Sequence, residues 1–193
     1  MRKKTARGIK NEIKIIGIDD APFVPRSLGV TRLFGIIIRG STIIEGVVQT
    51  TVEIDGWDGT EKIIEMVTNS KHYKQIKVIM LAGITVGGFN VLDIKQMYKE
   101  THKPVIVVIE KQPDFESIKL ALQNLPRGDE KWNLIQKFKE VNEIQTLPDS
   151  NPIYYQYSGI IQKNAERIIK LSTNISRIPE PIRIAHLIGR SFL

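Results

Sequence analysis

Hydrophobic and polar positions alternate along this chain in two distinct periods, and the change of period divides it. Ile13 to Ile18 is an apolar, β-branched run halted by Asp19-Asp20-Ala21-Pro22, the pattern of a buried strand ending in a loop. Arg32 to Ile38 repeats it. Gly40-Ser41 supplies a tight turn into a third strand over Thr42 to Ile54, where Val48, Thr50, Val52 and Ile54 fall on one face and Gln49, Thr51 and Glu53 on the other. Three strands joined by short turns predict an antiparallel meander.

The period then lengthens. Asp55-Gly56-Trp57-Asp58-Gly59 breaks the sheet, and Ile63, Ile64 and Val67 are spaced for a helix over Thr60 to Ser70. Ile76 to Leu81 reads as a buried strand, followed by a glycine-rich loop, a helix over Val91 to Thr101 and another buried strand over Val105 to Ile109. Helices are expected over Asp114 to Leu125, capped by Asp114, and over Glu130 to Val141. The 142–152 stretch reads as a loop and Ile153 to Tyr157 as a short strand. Two further helices close the chain, Lys163 to Leu171 and Glu180 to Ile188, the last opened by Pro181. Strands alternating with helices call for parallel pairing through crossovers. The expected class is α/β: a ribonuclease-H-like mixed sheet, an antiparallel meander of three strands followed by parallel strands, with helices on both faces, forming one domain over 1–193.

Composition narrows the function. With 193 residues, 41% hydrophobic and 25% charged, the chain is that of a globular protein. It has no run of about 20 apolar residues to span a bilayer, and its start does not read as a secretory signal, so a cytoplasmic location is expected. The absence of cysteine excludes disulfides, thiolate zinc sites and cysteine nucleophiles. The net charge is +7, with Arg2, Lys3, Lys4, Arg7, Lys10 and Lys14 crowded near the start. A basic N-terminal arm at about 1–12 suits a phosphate backbone, and a solvated basic surface would look the same.

Three constellations could carry chemistry. Asp19 and Asp20 end the first strand, where a rigid carboxylate can hold a divalent cation; Asp before Ala-Pro also simply caps a turn. Asp55, Asp58 and Glu61 follow the third strand, where acids also serve as helix caps and dipole partners. In a meander the first and third strands lie close, so both groups could converge on one side of the sheet. Leu81 to Asn90 carries Gly83, Gly87 and Gly88, without the spacing of a dinucleotide fingerprint or a Walker loop. With Ile84, Phe89 and Asn90, these glycines could line a pocket for an extruded base, Phe89 stacking on it, or form a tight turn with Phe89 in the core. Trp57 is expected in the core. Of the three histidines, His72 and His102 lie at expected helix ends, and His186, on the last helix, could approach the acids but is assigned a structural role.

Together these residues resemble an archaeal family, endonuclease dU. The resemblance rests on Gly17 to Phe23, Asp55-Gly56 through Thr60 to Ile63, Gly87 or Gly88 with Phe89-Asn90, Asn124-Leu125-Pro126 and Ile178 to Pro181. More distantly the chain is similar to endonuclease V, whose Gly-Val-Asp-type strand end is matched by Gly17-Ile18-Asp19. Its Arg-Leu-Pro-Glu-Pro-x-Arg-x-Ala stretch is matched by Arg177 to Ala185. The resemblance implies an Mg²⁺- or Mn²⁺-dependent hydrolase that nicks DNA near deoxyuridine or another deaminated base. Asp19 would be the central ligand and Asp58 or Glu61, with Asp55 behind them, the second catalytic acid and ligand, while either Asp20 or Asp55 would make up a further metal ligand. Alternatives are a nuclease acting on RNA and a non-catalytic nucleic-acid-binding protein. Two positions depart from the endonuclease V pattern: Ala82-Gly83 stands where its Asp-Gly pair would, and Ser158-Gly159-Ile160 lacks the histidine of its Ser-x-Gly-His-Arg motif.

Overall fold

The computed structural model describes residues 12–192. Arg2 to Lys10 of the expected basic arm lie outside the described residues. Lys14 is engaged at the sheet by Glu45 and Gln75.

Strands β1 (Lys14–Asp20), β2 (Val30–Arg39) and β3 (Ile43–Glu53) form the expected meander. Along β3 the residues at 48, 50 and 52 are more buried than their neighbours, as the alternation requires. Then come α1 (Gly59–Thr68) and β4 (Val78–Ala82), which pairs parallel with the other edge of β1. The glycine loop folds into a miniature hairpin of β5 (Thr85–Val86) and β6 (Asn90–Val91). Helix α2 (Ile94–Thr101) therefore starts later than the periodicity suggests. Asp93 caps it, its side chain accepting from the amides of Lys95 and Gln96. β7 (Val105–Ile109) lies parallel beside β4. The chain continues through α3 (Phe115–Leu122), α4 (Gly128–Gln136), β8 (Asn142–Ile144), β9 (Ile153–Ser158), α5 (Gln162–Ser172) and α6 (Glu180–Arg190).

The sheet is seven-stranded, in the order β3-β2-β1-β4-β7-β9-β8. One expectation is corrected: β9 runs antiparallel to β7. The cause is β8, which lies inside the stretch expected to be a loop. The crossover from β7 through α3 and α4 delivers the chain to β8 in the direction of β7. β9 then returns as the second arm of a hairpin and inserts between the two. A crossover plus a hairpin return gives an antiparallel neighbour where a crossover alone gives a parallel one.

Both faces of the sheet are covered. Ile16, Ile18, Leu33 and Leu81 pack against α1 to α4, including Ile63, Met97 and Ile135. Ile15, Met80, Ile106 and Val108 pack against α5 and α6, through Ile168, Ile169 and Ile182. Trp57 packs on the first of these layers, with the Arg127 guanidinium 4.3 Å from its ring centroid. Among the described residues no helix is long and apolar enough to cross a membrane.

Candidate active site

The pleat of β1 sends alternate side chains to opposite faces, and this separates its two terminal acids. Ile18 and Asp20 face the α1–α4 layer, whereas Gly17 and Asp19 face α6. Asp19 is 9% exposed. Its Oδ2 lies 2.9 Å from His186 Nδ1 and its Oδ1 accepts the Asp20 amide at 2.9 Å. Burial pushes the Asp19 carboxyl up to about 6, repulsion from Asp20 adds to the rise, and hydrogen bonding to the Asp20 amide and His186 opposes it. A central strand thus holds, in a fixed place, a carboxylate lacking full compensation for its charge.

The Arg177 to Ala185 stretch brings His186 there. Arg177 Nη1 donates to the carbonyls of Glu110 and Pro152 at 2.9 Å each, pinning the segment to the ends of β7 and β9. The buried Glu180 carboxylate accepts the Ile175 amide at 3.0 Å and both Nε and Nη2 of Arg183, at 2.9 and 2.7 Å. Pro181 lies directly over Gly17, where any Cβ would overlap its backbone. Arg183 and His186, three residues apart, then share one helix face. Asp19, Ala82, Gly83, Glu110, Arg183 and His186 line a cavity of about 300 Å³ at the C-terminal ends of β1, β4 and β7, the end at which open α/β sheets bind ligands.

The other acids meet a different fate. Asp20 Oδ2 accepts the Gly87 amide at 2.6 Å on the opposite face from Asp19. Asp55, in a left-handed conformation (φ 54°), donates its amide to the Gly87 carbonyl at 2.8 Å and accepts the Phe89 amide on Oδ1 at 2.8 Å. Its carbonyl accepts the Nζ of Lys131, a buried lysine on α4. Asp20 and Asp55 are therefore brought together through Gly87, but away from Asp19. Asp58 Oδ1 accepts the Glu53 amide at 3.1 Å and Asn90 Nδ2 at 2.7 Å. Glu61 is exposed and lines a separate cavity of about 290 Å³ with Trp57, Asp93 and Glu130. Neither Asp58 nor Glu61 is brought beside Asp19.

The glycine loop divides in the same way. Gly83 lines the Asp19 cavity, and the Ile84 carbonyl accepts the Leu92 amide at 2.9 Å, closing the hairpin. Gly88 has a φ of +87°, and a Cβ there would collide with the Asp55 carboxylate, so both backbone and space demand glycine. Gly88 and Phe89 border a larger cavity of about 880 Å³ with Phe23, Asp55, Asn124 and Pro126. Asn90 is fully buried. Its Oδ1 accepts the Gly59 amide at 2.9 Å, and its Nδ2 donates to the Glu53 carbonyl at 3.1 Å as well as to Asp58. Asn90→Ala strands the buried Gly59 amide and removes two part-buried hydrogen bonds, so unfolding free energy is expected to fall by about 1–3 kcal/mol in urea titrations. A loss under about 0.5 kcal/mol would show that these bonds contribute little.

Sequence reasoning passed over His186, Arg183 and Glu110 as site residues. The available signal was the spacing of Arg183 and His186 on an amphipathic helix whose first turn resembles the endonuclease V stretch. His72 and His102 stay apart: His72 abuts Gly46 of β3, and His102 is the left-handed cap of α2.

A meander continued by two parallel strands, helices on both faces and an acid at the end of the central strand define a ribonuclease-H-like fold of the endonuclease V kind. The structure matches that of Ciona intestinalis endonuclease V in complex with a 24mer DNA containing an inosine followed by a ribo-adenosine. The TM-score is 0.62 at 14% identity, covering 93% of this chain and 85% of that one. Within that class the chain belongs to the endonuclease dU family, whose family model matches residues 11–193. It is 46% identical over 190 residues to the UPF0215 protein of Methanothermobacter thermautotrophicus, covering 98% of this chain and 92% of the relative. A crystal structure of an Archaeoglobus fulgidus protein, 37% identical, matches with a TM-score of 0.82 over 93% of this chain and 98% of that one.

Proposed function

We propose that this protein is a metal-dependent endonuclease that nicks DNA beside deaminated bases such as deoxyuridine. The observation that carries this reading is the buried Asp19 carboxylate in contact with His186 at the mouth of a ribonuclease-H-like sheet. Membership of the endonuclease dU family supports it.

The donor set suits Mg²⁺ or Mn²⁺. Mg²⁺ takes one or two protein carboxylates and fills its remaining positions with water and substrate phosphate oxygens. Asp19 offers a rigid oxygen donor, and its raised proton affinity reflects negative charge that a cation would neutralise. Asp20, Asp55 and Asp58 do not line the cavity that Asp19 lines, which leaves Asp19 as the anchor. Bound there, the ion would polarise a phosphodiester and lower the pKa of attacking water. His186 orients the Asp19 carboxylate through the contact of its Nδ1 with Oδ2. Arg183, held by Glu180, adds positive charge to the cavity for a phosphate. Of the glycine loop, Gly88 and Phe89 would sense the base, bordering a cavity that offers a stacking ring and room for a nucleobase.

A non-catalytic nucleic-acid-binding role has one observation in its favour. Among the described residues no three His, Asp or Glu side chains are grouped to hold a metal ion. A duplex with a single deoxyuridine separates the two readings. Cleavage that needs Mg²⁺ or Mn²⁺, stops with EDTA and is lost in Asp19→Ala is the expected result. A duplex that is bound but left intact with either metal would leave the binding role. The same duplex with a ribose at the scissile position distinguishes action on DNA from action on RNA.

A further inference from the structure

Resting on the reading of Asp19 as a metal ligand, we infer that Glu110 supplies the second carboxylate of the site, taking over from the adjacent strand the place that Ala82 leaves without an acid. Three observations carry this. Ala82 and Val108 are paired across β4 and β7, and both pack toward α6 on the face that Asp19 occupies. Glu110 follows directly on the end of β7 and lines the Asp19 cavity. Its carboxylate is held only loosely: its side chain is 67% exposed, and its ion pair to Arg177 Nη2 is 3.4 Å long.

The backbone beneath it is fixed, however, because Arg177 Nη1 binds the Glu110 carbonyl independently of the carboxylate. Glu110 is thus a side chain with a fixed root and a free head. A surface ion pair of this kind contributes about 0–1 kcal/mol, so rotating the carboxylate into the cavity costs little beside a new bond to a divalent cation. Asp20, Asp55 and Asp58 lack that freedom. Each accepts a backbone amide that would lose its partner if the carboxylate turned. Two carboxylates from the ends of β1 and β7, on either side of β4, with water in the remaining positions, form the minimal oxygen set for Mg²⁺ or Mn²⁺.

The test is Mn²⁺ binding to the full chain without nucleic acid, followed by the electron paramagnetic resonance signal of free Mn²⁺. The wild type is expected to bind Mn²⁺ and Asp19→Asn to lose binding. Glu110→Gln, whose exposed position leaves the fold intact by circular dichroism, is expected to raise Kd roughly tenfold to a hundredfold. Ala82→Asp added to Glu110→Gln returns a carboxylate to the same face and is expected to restore binding. Wild-type affinity in Glu110→Gln overturns the inference while leaving Asp19 as the anchor. Failure of the wild type to bind, or unchanged binding in Asp19→Asn, overturns the Asp19 reading and the role of Glu110 with it.

Discussion

Replacing Asp19 with asparagine is expected to abolish strand cleavage and, in the same protein, to raise stability at neutral pH. Cleavage should fall on the order of a thousandfold or more, because asparagine has the shape of the carboxylate without the charge that grips a cation. Stability should move the other way. The Asp19 carboxyl titrates at about 6 in the folded protein against 3.8 for the ordinary group. Below pH 3.8 it is protonated in both states. As pH rises through the window to about 6, the unfolded chain releases its proton first, so the folded state loses ground. Above that window both states are ionised and the difference is constant. A shift of this size corresponds to at most about 3 kcal/mol, and screening at the cavity mouth lowers it to about 1–3 kcal/mol. Urea unfolding in EDTA at pH 3.5 and pH 7.5 measures it. Asp19→Asn should match the wild type, or nearly so, at the lower pH and exceed it at the higher. Equal stability at pH 7.5 would mean that the site stores no electrostatic strain.

The sequence made the meander readable because each of its strands is long enough to show its period and the turns between them are short. Element boundaries failed where a tertiary contact, not periodicity, sets them. Val91 looks like the start of α2, yet it pairs with Thr85, and the helix waits for the Asp93 cap. β8 has three residues, too few to display any period, and it becomes a strand only because β9 pairs with it. Missing it reversed the expected direction of β9.

The candidate site was legible to a different depth. The end of β1 could be recognised as a place for an acid, and only the family resemblance singled out Asp19; choosing it over Asp20 on physical grounds requires knowing which face of the strand α6 covers. The partner that reveals it, His186, is 167 residues away, a separation that no local pattern can bridge. Asp55, Asp58 and Asn90 show the converse. Their types and spacing suggest chemistry, whereas each accepts or donates hydrogen bonds that hold the loops after β3 and β4 together. Polar residues that bind neighbouring backbone and polar residues that bind ligands draw on one small set of side chains, so composition alone cannot separate them. Glu110 offered no signal at all, since it lies just past a buried strand where acids are commonplace.

Gly17→Ala is the second change expected to have a large effect, and it ties the strand motif to the helix that completes the site. A methyl group at this position would overlap the carbonyl carbon, oxygen and side chain of Pro181. None of these is the far end of a flexible side chain, and Pro181 in the first turn of α6 cannot rotate away. β1 is equally unable to yield, since it is hydrogen-bonded on both sides by β2 and β4. The helix must therefore lift. Lifting it opens the contact of Gly189 with the Asp20 carbonyl, where an added Cβ would sit only 2.8 Å away, and draws His186 off Asp19. Overpacking of this kind costs about 1–3 kcal/mol, and a displacement of about 1 Å at the reacting groups costs roughly a hundredfold in rate. Assayed well below its melting temperature, Gly17→Ala should be folded by circular dichroism yet cleave roughly ten to a hundred times more slowly. In nuclear magnetic resonance spectra its His186 ring signals should shift as the imidazole leaves the Asp19 carboxylate. Wild-type cleavage in a folded Gly17→Ala protein would show that the approach of α6 to β1 is dispensable, and that His186 has no part in what Asp19 does.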